Sequence, residues 1–476
     1  MKSAIVIAAV AALNLGTATA AAAAPPPPLR LVAASETVTV YRYGEELVYP
    51  QYGTHMVAGR KPFEVWAKRT SYTEPITAYQ VVRDANGKRE VPLPAGLVRD
   101  FTGLSNFLHV TITDQAGGVV VERDESFCPS AIARTRPDAP DTSPYADGCA
   151  YNPFTIGAVW GIQAGWSSYT GGYGEGVDLA DGTYRAHIQV NQPYLDLFGI
   201  PADQASATVT LEVRPYEEGE GRDQRAAGGT ALRPAASEPT GPAVVPTGPK
   251  PDLQSLPAWG IEIGGYEPEP DDRDYLSFNA TVWVGGRSPL VVDGFRRADE
   301  DVMDAYQYFY DAQGNQTGYA PVGTMEWDAR EGHHHWHFTD FAQYRLLNED
   351  ASLAVRSGKE AFCLAATDAV DYTLPRANWQ PRNTDLHTSC GYADSLAVRE
   401  VLDVGSGDTY AQYLPGQNFD ITDLPNGTYY VEVVANPDGN LYESNRKNNT
   451  SLRKVILGGE PGARTVEVPP VGIITG

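Results

Sequence analysis

The chain is built from short runs rich in β-branched and aromatic residues, each closed by a turn signal, and that pattern leaves little but strands to fold with. Thr37-Val-Thr-Val-Tyr-Arg42, Ala78-Tyr-Gln-Val-Val-Arg83, Phe107-Leu-His-Val-Thr-Ile-Thr113 and Thr208-Val-Thr-Leu-Glu-Val213 are such runs in the first half. In the second half Leu276-Ser-Phe-Asn-Ala-Thr-Val-Trp-Val284 alternates, and Gly285-Gly286 ends it. Asp84-Ala-Asn-Gly87, Asp181-Gly182, Asp311-Ala-Gln-Gly314 and Asn426-Gly427 are turn signals. Helical spacing is hard to find. Residues 217–250 carry Pro, Gly, Ala, Ser and Thr in quantity, with no apolar pattern to offset the entropy of ordering. The expectation is therefore an all-β protein of two β-sandwich-like domains, 25–216 and 251–460. A disordered linker, 217–250, joins them and a tail, 461–476, follows. A cut in the linker should separate two folded halves.

One segment repeats. Leu179-Ala-Asp-Gly-Thr-Tyr-Arg-Ala-His-Ile-Gln-Val-Asn191 parallels Leu424-Pro-Asn-Gly-Thr-Tyr-Tyr-Val-Glu-Val-Val-Ala-Asn436. Both read as a turn feeding a strand that ends at Asn and Pro, so two related sandwiches and convergent turn chemistry both fit.

Residues 1–24 read as a secretory signal peptide: a charged start, an apolar run at 4–15 and Ala18-Thr19-Ala20 near its end. That run is too short to span a bilayer, and nothing later is longer. A formal charge of −24 argues against nucleic acid or anionic membranes as partners. In an oxidising compartment the 4 cysteines should pair. The sequence-local pairing is Cys128 with Cys149 and Cys363 with Cys390; the two other connectivities would cross the linker.

The stretch Glu331-Gly-His-His-His-Trp-His-Phe338 concentrates four of the 8 histidines. On a strand, a spacing of two turns His333, His335 and His337 to one face and His334 and Trp336 to the other. Three neutral imidazoles suit copper, zinc, nickel or iron, and with no nearby Cys or carboxylate on that face the other positions stay open to water, oxygen or substrate. The plainer alternative is a surface His cluster that picks up metal incidentally.

The second half resembles the lysyl oxidase catalytic domain, from about 251 to 457, and the first half lies outside that resemblance. The anchors are His333-x-His335-x-His337, Gly358-Lys-Glu-Ala-Phe-Cys-Leu364, Asp408-Thr-Tyr410 with Phe419-Asp-Ile-Thr-Asp423, and Gly427-Thr-Tyr429, Asn436-Pro437, Glu443 and Asn448-Asn449. The resemblance implies copper on the three histidines and a lysine tyrosylquinone cofactor formed from Lys359 and Tyr410. His387 is a candidate base. It implies a secreted oxidase that converts a primary amine, peptidyl lysine among the candidates, with oxygen and water to aldehyde, ammonia and hydrogen peroxide. Animal members carry more cysteines here than Cys363 and Cys390. The rival readings are a non-catalytic secreted copper- or zinc-binding protein with an adhesion-type first domain, and a zinc hydrolase. The hydrolase is weakened because no HExxH motif is present.

Overall fold

The computed structural model describes residues 28–44, 47–84, 87–171, 176–216, 238–265, 270, 272–311, 315–330, 334–357, 361–379, 388–414 and 416–471. The expected signal peptide lies outside them. The described residues are nearly all β, as the turn-punctuated runs require. The one α-helix among them, Gln192–Phe198, is a single short piece with Pro in its first turn and Gly199 closing it in the left-handed conformation.

Each half wraps three sheets around its own apolar core. In the first half the five-stranded sheet runs Thr37–Arg42, Ser206–Pro215, Gly182–Val190, Leu104–Thr113, Val119–Phe127. Leu108, Val110 and Ile112 alternate into the core from its fourth strand. The second half has a matching five-stranded sheet, Leu353–Arg356, Ala342–Asn348, Gly427–Ala435, Thr450–Glu460, Ala463–Glu467. The repeated segments supply the middle strand of each. In both, the tyrosine two residues after the turn glycine donates its hydroxyl to the carbonyl four residues back: Tyr184 to Ala180 at 2.9 Å and Tyr429 to Pro425 at 2.8 Å. This is the tyrosine corner familiar from sandwich folds, so the repeat is a shared structural device.

Both local disulfides form, Cys128 with Cys149 and Cys363 with Cys390, with Cα–Cα distances of 5.8 and 6.0 Å. Two boundaries differ from expectation. Residues 238–250 do not float as linker: Val244 N–H donates to Tyr319 O at 2.9 Å and Tyr306 Oη to Glu238 Oε1 at 2.7 Å. The reason is an edge. The strand Gln316–Asp328 is covered by His335–Phe338 only at 325–328, and Val244 pairs with the part left over. The expected tail also contributes a strand, because Ala463–Glu467 turns back on Thr450–Glu460 with Glu460 opposite Ala463.

The halves are not independent bodies on a tether. The strand Tyr275–Val284 is buried along its whole length. Leu276, Phe278, Ala280 and Val282 enter the core, while the alternate residues Ser277, Asn279, Thr281 and Trp283 are covered from the far side. Trp283 packs with Phe154, Leu256 and Val370. Ile156 N–H donates to Val370 O at 2.8 Å and Tyr372 N–H to Gly157 O at 2.9 Å, so backbone bonds cross the boundary. Trp379 stacks on Tyr145 with centroids 6.1 Å apart and meets Trp66 edge-on at 5.6 Å. A cut in the linker would leave this contact in place, and the expected separation of the halves does not follow.

Candidate metal and tyrosine centre

His335–Phe338 is the edge strand of the sheet that continues through Gln316–Asp328, with Asp328 opposite His335 and Glu326 opposite His337. The alternation holds within it. His335 and His337 lie on one face with ring centroids 4.7 Å apart. Trp336 turns to the other face, where its Nε1–H donates to Tyr392 O at 3.0 Å and Arg296 lies 5.4 Å from its ring centroid. The period of two does not carry back through His334. That residue is exposed with φ of +48°, a left-handed conformation outside any strand, so spacing alone does not put His333 on the same face. His333 itself, like Lys359 and His387, lies outside the described residues.

His337 is buried, and its Nδ1 sits 3.2 Å from Asp328 Oδ2. The same carboxylate takes Arg330 Nε at 2.9 Å through Oδ1, and this bond, with the charge on Asp328, holds the Arg330 guanidinium above its ordinary pKa. Asp328 was missed in the sequence. Its only signal was the strand before the histidines, and the antiparallel register that brings it opposite His335 is not written in composition.

Tyr410 ends the strand Ser406–Tyr410, which pairs with Tyr275–Val284 through Ala280↔Tyr410 and Thr281↔Thr409. Its ring is buried and meets Phe362 at right angles, 4.5 Å between centroids. The phenolic oxygen accepts the Cys363 N–H at 2.9 Å. That segment is tied to the histidine strand twice. Phe338 and Phe362 exchange backbone bonds of 2.8 and 2.9 Å, and Cys390, the disulfide partner of Cys363, accepts Trp336 N–H at 3.0 Å. Strand, disulfide and tyrosine thus form one connected unit. Burial pushes the Tyr410 hydroxyl well above 10.0 and the Asp408 carboxylate adds to the rise, while the Cys363 N–H opposes it.

Glu400 is a second group that the sequence did not single out. It is fully buried, its Oε2 accepts Leu364 N–H at 3.0 Å, and burial holds its carboxyl well above 4.5. It gathers with the sulfurs of Cys363 and Cys390, but both sulfurs are spent in the disulfide and this is no metal site.

Comparison with known proteins finds a family match in the second half. Residues 309–463 match the lysyl oxidase family model. Lysyl oxidase homolog 4 of Mus musculus and lysyl oxidase homolog 2 of Gallus gallus are each 30% identical, over 129 and 128 residues. Residues 309–463 are a lysyl oxidase family domain. Lysyl oxidase homolog 3 of Homo sapiens is 28% identical over 129 residues. Each match spans 27% of this chain and 15% of the relative's length. Within the lysyl oxidase domain, Glu443, Asn436 and Asn449 have a structural task. Glu443 Oε1 accepts Asn436 Nδ2 at 2.6 Å and Asn449 Nδ2 at 2.8 Å, which pins the loop between the two central strands of the last sheet.

The donor set fits copper: two imidazoles stand side by side on one face, and a carboxylate engages one Nδ1, which leaves Nε2 as the nitrogen to direct at an ion. The surroundings of Tyr410 fit a protein-derived cofactor as well. The phenol is enclosed, and it bonds to the residue four positions after Lys359.

Proposed function

We propose that the chain is a secreted, copper-dependent primary-amine oxidase of lysyl oxidase type, converting an amine with oxygen and water to aldehyde, ammonia and hydrogen peroxide. The observation that carries this reading is the bond between Tyr410 Oη and Cys363 N–H, beside a strand that presents His335 and His337. The residues that would hold copper are His333, His335 and His337, and those that would form lysine tyrosylquinone are Lys359 and Tyr410. When present, these groups supply the electron sink and the oxygen chemistry that side chains lack.

The chain's own residues do the rest. Asp328 fixes the orientation and tautomer of His337, so that the ring does not have to reorganise around an ion. Burial keeps the proton on Tyr410, and the Asp408 carboxylate adds to that hold. Phe362, packed edge-on against the Tyr410 ring, excludes water from it. His387 is the proposed base for the proton on the substrate α-carbon. Two disulfides and the leader-like residues 1–24 support an exported protein. Copper-loaded protein should release peroxide when given primary amines, and Tyr410→Phe should release none. Copper binding with no amine-dependent peroxide in the parent protein would favour the non-catalytic metal-binding reading instead.

A further inference from the structure

We propose that Asn152, a residue of the first half, is a positioning residue for Tyr410, so that the oxidase centre is completed across the boundary between the halves; this rests on the oxidase reading given above. Asn152 is buried, and its Oδ1 accepts Phe154 N–H at 2.9 Å, which fixes the amide. Its Nδ2 then donates twice into the second half, to Thr281 Oγ1 at 3.0 Å and to Asp368 Oδ2 at 3.2 Å. Thr409 closes the ring: it lies 2.7 Å from Thr281 Oγ1 and 2.6 Å from Asp368 Oδ2.

Counting protons sets the direction of this ring. The Thr409 hydroxyl has one proton and a carboxylate accepts it at 2.6 Å, so Thr281 must be the donor to Thr409 Oγ1. Thr281 Oγ1 therefore accepts from Asn152, with Trp259 Nε1 a longer second donor at 3.3 Å. Asp368 is 3% exposed, and its Oδ2 has Asn152 and Thr409 as donors. Remove the Asn152 amide and a buried carboxylate loses one of those two donors, while Thr281 loses its shorter one.

Thr409 immediately precedes Tyr410, and successive side chains of a strand point to opposite faces. One face carries Tyr410 into the core and onto Cys363; the other carries Thr409 into the ring. The strand pairs with Tyr275–Val284 at only four positions, and Ala280↔Tyr410 is the last of them. On its other side Asp368–Ala369 pairs only with Gly407 and Ser406. Tyr410 thus stands at the end of a short ladder; Thr367 Oγ1 holds the Thr409 N–H at 2.7 Å, Asn279 Oδ1 holds the Gln412 N–H at 2.6 Å, and the ring from Asn152 fixes the Thr409 side chain. The aim of the phenolic oxygen at Cys363 N–H depends on that fastening.

The test uses the full chain and amide hydrogen exchange, with amine turnover measured in parallel. In Asn152→Ala the amides of Thr409, Tyr410 and Cys363 should exchange about tenfold faster, with the strand Gly427–Ala435 unchanged. Asn152→Asp, which keeps the acceptor for Phe154 N–H and loses the donor, should do the same. Thr409→Val should reproduce the effect from the other side, and Thr409→Ser, which keeps the hydroxyl, should behave as the parent. Turnover in the first three should show a lower kcat with an unchanged KM for the amine. Unchanged exchange at those three amides, or a uniform rise across the whole second half, would overturn the proposal and leave Asn152 as interface packing. A parent protein that consumes no amine would sink the oxidase reading, while the exchange result would still decide the positioning role.

Discussion

The amide of Cys363 donates to the phenolic oxygen of Tyr410 at 2.9 Å across 47 residues of sequence. This bond joins the two segments that carry the proposed cofactor residues, and the disulfide to Cys390 carries it on to the histidine strand. Removing the phenolic oxygen therefore has a structural cost besides a chemical one. Tyr410→Phe should bind copper as the parent does and make no peroxide from any amine. It should also lose about 1–3 kcal/mol of stability, because the Cys363 N–H is left buried without its acceptor. Denaturant unfolding and a peroxide assay on the same preparation check both statements.

His335→Ala, His337→Ala and His333→Ala should each remove most of the copper affinity, since two imidazoles make a poor site. His334→Ala should change it little, because His334 is exposed and turned out of the strand. Asp328→Asn keeps the shape and loses the charge beside His337, and should weaken copper by about 10–100-fold. Competition titration against a chelator measures all five. Equal damage from His334→Ala would contradict the site.

Glu400 should make stability depend on pH. Burial raises its folded-state pKa above the ordinary 4.5, so its contribution is fully present below about pH 4.5 and is lost as pH rises towards the folded value. Glu400→Gln is neutral throughout, and its Oε1 can still accept Leu364 N–H. Above pH 4.5 the variant should therefore hold its stability better than the parent, by at most about 1.4 kcal/mol per pH unit. Parallel curves for the two proteins in urea unfolding from pH 4 to 8 would show that Glu400 is not held neutral.

Gly157 sits where the two halves exchange backbone bonds. A Cβ there would fall 2.1 Å from Asp371 Oδ1, and that carboxylate is already held by Thr373 N–H at 2.9 Å and Thr373 Oγ1 at 2.6 Å. Gly157→Ala should therefore loosen the boundary, costing roughly 1–3 kcal/mol. Limited proteolysis gives the same contact a second test. A chain nicked between 217 and 237 should elute from a sizing column as one species, and the Gly157→Ala chain should come apart more readily after the nick.

The repeated turn-and-strand segments, the two disulfides and the β class could be read from local sequence because each rests on a few neighbouring residues: a turn glycine followed by Thr-Tyr, cysteines in one half, or alternation closed by Gly. What could not be read depends on which surfaces meet. Ser277, Asn279, Thr281 and Trp283 look like a solvent face in the alternation of their strand, yet the structure buries all four. Asp328 joins the histidines only through strand register, and Asn152 reaches the Tyr410 strand only because the halves dock. His334 shows the opposite limit: its left-handed backbone interrupts the period of two, and no composition rule marks that break.

Lys359 and Tyr410 should become one covalent cofactor under copper. Digestion of copper-loaded, amine-oxidising protein followed by mass spectrometry of the peptides reads this out. A cross-linked pair that contains both residues should appear, absent from protein prepared without copper and from Tyr410→Phe. Fully active protein that yields the Lys359 and Tyr410 peptides separate and unmodified would contradict it.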